Sequence, residues 1–91
     1  MTPEEIQAAE QDLRRVPEFS WLTGSPAAWW NVSEVAKGMG VGRPLVTAWC
    51  EDGKIPGALY YEGAGWRMPR SGLVEYFAGL QRDAGRSSKA G

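Results

Sequence analysis

Pro44, Thr47, Ala48 and Glu51 fall on one side of a helix read from about Arg43 to Asp52, with Arg43 at its N-terminal tip. Short side chains along a helix let it approach base edges closely, and an arginine at the tip can reach guanine or a phosphate. For Thr47 and Ala48 a merely solvated face is the plain alternative. Val46, Trp49 and Cys50 make the opposite, apolar face, and the wheel leaves Leu45 between the two. Lys54, Arg67 and Arg70 follow on or near the strand–turn–strand segment that comes next. For these bases both phosphate contact and plain solvation are open. Arg67 next to Trp66 also allows a surface cation–π pair.

Other chemistries find little footing. The chain has no histidine and one cysteine, Cys50, so zinc sites of the usual kinds and a disulfide framework are excluded. No phosphate loop and no Cys–His pair is present, which points away from an enzyme and from any cofactor. A lone cysteine on an apolar helix face reads as a small hydrophobe. Its rarity makes a reducing cytoplasm the expected location. No apolar run is long enough to span a membrane, and no secretory signal opens the chain.

The elements that would position these residues are legible in order. Asn31 caps a helix, with Glu34 in capping-box position and Val32, Val35, Ala36 and Met39 as its buried stripe. Gly38 and Gly40 are read as ending it, Val41 as a plug in the turn, and Gly42 as the cap of the second helix, with Pro44 tolerated in the first turn. Gly53 stops that helix, and Lys54–Gly57 makes a corner. Residues 58–61 and 66–68 alternate as two strands about the turn Glu62–Gly65. Ser71 is expected to cap a last helix whose Leu73, Tyr76, Phe77 and Leu80 share a face. The predicted fold is mainly α with a small β-hairpin wing, a winged helix-turn-helix carrying an additional N-terminal helix.

Three segments are expected: residues 1–28 as an N-terminal helix and aromatic-rich connector, 29–82 as the winged helix-turn-helix, and 83–91 as a disordered tail. Thr2, Pro3 and Glu5 give the first helix its cap, Ile6, Ala9, Leu13 and Val16 its apolar face, and Pro17 its end. The connector through Trp30 holds Phe19, Trp21 and Leu22 and is expected to be an ordered loop. Five tryptophans in 91 residues suit a small fold that needs much buried area per residue. Charge is uneven. Residues 1–28 carry five acids and two bases, net −3, whereas 29–82 carry six bases and five acids, net +1. A nucleic-acid binder usually shows a stronger basic footprint, so one copy should bind weakly and rely on cooperation.

These residues resemble the excisionase-type family of MerR-like winged helix-turn-helix domains. The pattern is Val32-x-Glu34-Val35-Ala36, Gly40-Val41-x-Arg43, Val46, Trp49, Gly53-x-Ile55-Pro56-Gly57-Ala58, Gly65-x-Arg67-x-Pro69-Arg70, Leu73 and Tyr76. It covers about half the chain. The resemblance implies a second helix in a major groove of double-stranded DNA, a wing beside it, and Arg43, Thr47, Arg67 and Arg70 at DNA-facing positions. The family often has Ser or Thr where this chain has Gly42, at a capping cost of a few tenths of a kcal/mol. Its members include recombination directionality factors of phages and plasmids, which bind repeats cooperatively with weak self-association, bend DNA and redirect an integrase. Small transcription regulators share the same binding mode. A protein-interaction module retaining the fold is a third expectation, favoured by the net charge of −1, by Glu51 and by the N-terminal extension.

Overall fold

The computed structural model describes residues 2–90, with side chains as far as Asp83. The Thr2 hydroxyl accepts from the Glu5 N–H at 3.2 Å, and the Glu5 carboxylate accepts from the Thr2 N–H at 3.4 Å. This capping box opens α1 (Pro3–Arg14) as the spacing requires. Ala9 and Leu13 are buried, with Ile6 and Val16 packed at their margin, so the expected face is the one that docks, mainly against α5.

The connector is more regular than a loop. Pro17–Phe19 forms a 3-10 turn, Ser20–Thr23 forms a short helix α2, and Trp29–Asn31 forms a strand, β1. The strand went unread because three residues carry no visible alternation, and its pairing partner, Met68 opposite Trp30, lies far along the chain.

α3 (Val32–Met39) begins at a second capping box, in which the Asn31 side chain accepts from the Glu34 N–H at 2.8 Å and the Glu34 carboxylate accepts from the Asn31 N–H at 3.0 Å. It ends at Gly40, whose φ of 70° lets the Val41 N–H reach the Ala36 carbonyl at 3.0 Å. Gly38, expected to help end the helix, lies inside it. A Cβ there would fall 2.3 Å from the Trp21 ring, so the glycine is needed for close packing. α4 (Arg43–Glu51) starts at Gly42 without a side-chain cap and closes at Gly53 in the same way, the Lys54 N–H bonding the Trp49 carbonyl at 2.9 Å.

β2 (Leu59–Tyr61) and β3 (Gly65–Pro69) form the hairpin, with β1 on the other side of β3, so the sheet is antiparallel in the order β1-β3-β2. The Ala64 N–H closes the turn on the Tyr61 carbonyl at 3.0 Å, with Gly63 at φ 86°, as a type II turn requires of its third residue. α5 (Arg70–Ala90) begins one residue before Ser71, which is therefore inside the helix rather than its cap. Leu73, Val74 and Phe77 are fully buried, whereas Leu80, expected on the buried face, is 41% exposed. The tail expected over 83–91 has side chains outside the described residues beyond Asp83; its backbone as far as Ala90 belongs to α5.

One core joins these elements. Leu13, Phe19 and Leu22 from the N-terminal segment share it with Val35, Val46, Ile55, Met68 and Phe77. Phe77 stacks on Phe19 at 5.2 Å and meets Trp21 and Trp49 edge-on at 6.0 and 6.1 Å. The result is mostly helical with a small three-stranded sheet, compatible with a winged helix-turn-helix.

Candidate nucleic-acid interface

Helix α4 turns Val46 and Cys50 into the core and leaves Arg43, Pro44 and Glu51 exposed, with Thr47 and Ala48 half-buried. Leu45, undecided on the wheel, is 46% exposed and joins the accessible side. Trp49 is only partly buried, at the edge of the core, packed against Tyr76 with ring centroids 5.4 Å apart. Burial, and then the neighbouring Glu51 carboxylate, push the Cys50 thiol up from its ordinary 9.0. A raised, buried thiol is a packing group, as the sequence suggests, and not a nucleophile.

The parity of β3 decides which wing residues join α4. Successive side chains of a strand point to opposite faces, and Met68 is fully buried. Trp66 therefore shares the inner face with Met68, and Tyr60, paired with Trp66 in the register, shares it too. Their rings lie 5.4 Å apart. Val32, Thr47, Glu51, Tyr60, Gly65 and Trp66 line an open groove of about 530 Å³ between α4 and the hairpin. Tyr60, 62% exposed, forms its rim. Neither aromatic was expected at the interface; the signal was available in the strand alternation once Met68 was taken as the inward residue.

Arg67 stands on the other face of the sheet, paired across the strands with Asn31 and Leu59. Its guanidinium donates to the Ala64 and Trp66 carbonyls at 3.4 Å, so it curls along the hairpin backbone and does not stack on Trp66. Trp29, Leu59 and Tyr61, each close to half-exposed, surround it on that outer face. Lys54 is exposed in the corner after α4.

Arg70 is placed where a phosphate contact is hard to make. Its Nε donates to the Ala27 carbonyl at 3.2 Å and its Nη1 to the Leu22 carbonyl at 3.0 Å. Nη2 donates to the carbonyls of Ser25 and Ala27. The Glu10 carboxylate lies 3.5 Å from Nη1, and the guanidinium sits 5.1 Å over the Trp30 ring. These partners commit Arg70 to holding the connector against the start of α5. The expected DNA role of Arg70 therefore gives way to a structural one. Sequence reasoning missed this because the accepting carbonyls belong to a segment more than forty positions away.

The helix-turn-helix domain family matches the chain over residues 29–81, more than half of its length. The chain belongs to this helix-turn-helix family. Membership supports DNA as the partner. No curated protein matches the chain, and no solved structure does. Among the described residues of this helix-turn-helix protein no helix is long and apolar enough to cross a membrane. Nor do His, Cys, Asp or Glu side chains gather there in a group that could hold a metal ion.

Proposed function

We propose that the chain is a small sequence-specific binder of double-stranded DNA, an excisionase-like factor that binds cooperatively, bends DNA and acts with an integrase. One observation carries this reading: the accessible side of α4, made of Arg43, Pro44, Leu45, Thr47, Ala48 and Glu51, stands open beside the inner face of the wing. Its side chains near the middle are short enough for a helix to lie deep in a major groove, and Arg43 and Lys54 at its two ends can neutralise flanking phosphates. Arg67, on the outer sheet face, can meet backbone only where the DNA bends around the wing. The near-neutral charge of the domain makes single-copy binding weak, which is why cooperation on repeated sites belongs to the proposal.

Selection from randomised duplexes at two salt concentrations tests the reading. A short motif, enriched as direct repeats and bound less tightly at higher salt, supports it, and bending of the repeat-bearing fragment supports the excisionase form. A single unbent site favours a small transcription regulator using the same contacts. No enrichment at either salt favours a protein-interaction module. The observation on that side is the outer sheet face, where Trp29, Leu59 and Tyr61 present exposed apolar surface.

A further inference from the structure

We propose that Glu51 is the specificity-determining residue of this face and reads cytosine, accepting a hydrogen bond from its exocyclic N4 amine. The inference rests on the reading that α4 enters the major groove. Thr47 and Glu51 stand one helical turn apart along the groove walled by Tyr60 and Trp66. Glu51 is exposed, and among the described residues no lysine or arginine lies within ion-pair distance of it; both ion pairs found involve Glu10. The fold gives it no stabilising task either. It ends α4, where the helix dipole disfavours a carboxylate, no base lies in the last turn, and Asp52 follows directly.

A carboxylate in that position is repelled by every phosphate, so its favourable contact with DNA has to be a donor on a base edge. The major groove presents two, the N4 amine of cytosine and the N6 amine of adenine. Adenine sets its N7 acceptor beside the amine, where the second carboxylate oxygen would face it. Cytosine sets only C5–H there, so the carboxylate selects cytosine. Arg43, eight residues earlier and about 12 Å away along the helix, is free to hold a phosphate while Glu51 reads. Asp52 does not line the groove, so the assignment falls on one carboxylate.

Duplex selection is run on the full chain and on Glu51→Gln and Glu51→Ala, each first checked for an unchanged melting profile. The wild-type motif is expected to hold a fixed cytosine, and replacing that C·G pair by T·A should weaken binding about tenfold or more. Glu51→Gln should exchange the cytosine for adenine, which an amide reads through N6 and N7, and Glu51→Ala should lose preference at that position alone. If both variants select the wild-type motif unchanged, the assignment to Glu51 is overturned while DNA binding stands. If the wild type enriches no motif, the DNA reading itself fails, and the assignment with it.

Discussion

Replacing Arg70 by alanine removes the donors that hold the carbonyls of Leu22, Ser25 and Ala27 and leaves Glu10 with Arg14 of its own helix as its remaining ion-pair partner among the described residues. Part-buried acceptors left without a donor, together with a broken part-buried ion pair, should cost about 1–3 kcal/mol in chemical denaturation. Arg70→Lys should recover only part of this, because an ammonium cannot fork between three carbonyls. Arg70→Ala held fully folded should bind DNA as the wild type does, and a selective loss of affinity would return Arg70 to the interface. Arg43→Ala should do the reverse, keeping stability and weakening DNA binding in a titration. Trp49→Ala should destabilise by about 3 kcal/mol, toward the lower end for a large core aromatic, because the side chain is only partly buried. Cys50 titrates above its ordinary value in the folded state. An acid raised by folding contributes stability that is fully present below its unfolded pKa of about 9 and is lost as pH rises through the folded value. Stability should therefore decline above about pH 9, and Cys50→Ala should flatten that decline in denaturation curves taken along the pH series.

Between elements, the close approaches are made by glycine. A Cβ on Gly72 would lie 2.0 Å from the Pro56 carbonyl oxygen, a backbone atom that no side-chain rotation can move aside. Gly72→Ala should destabilise by about 1–3 kcal/mol even though alanine favours a helix by about 1 kcal/mol, because the steric term wins. A melting temperature equal to the wild type would contradict this packing of α5 on the corner. Such contacts also mark the limit of what was legible in the sequence. Local signals were faithful: Thr2 with Glu5, Asn31 with Glu34, Gly40, Gly53 and the Gly63–Gly65 turn each form the structure their chemistry dictates. Ser71 apart, which lies inside α5 and does not cap it, what escaped mostly needed a partner distant in the chain. β1 exists only through β3, Gly38 and Gly72 matter only through Trp21 and Pro56, and Arg70 acts on a connector far upstream. The candidate site was legible in the same proportion. α4 was readable apart from Leu45, left undecided by the wheel, and Trp49, which is only partly buried, while the division of the wing into an inner face with Tyr60 and Trp66 and an outer face with Arg67 required the register.

For the molecule as a whole, the N-terminal helix and the helix-turn-helix unit share one core, since Leu13 and Leu22 pack in the same cluster as Val46 and Phe77. Leu13→Ala should accordingly cost about 2–5 kcal/mol in a single cooperative unfolding transition. Charge at this scale sets the character of binding. With Arg43 and Lys54 at the two ends of α4, and Arg67 added where the DNA bends around the wing, two or three phosphates are neutralised per copy, so log affinity should fall against log salt with a slope of about −2 to −3. The measurement that tests the central claim most directly is a nuclear magnetic resonance titration of the labelled protein with a duplex carrying the selected motif. Amide shifts from Arg43 through Glu51, with the Tyr60 amide and the Trp66 indole moving alongside them and α1 silent, are the predicted result. Shifts confined to Trp29, Leu59 and Tyr61 on the outer sheet face, or to α1, would contradict it.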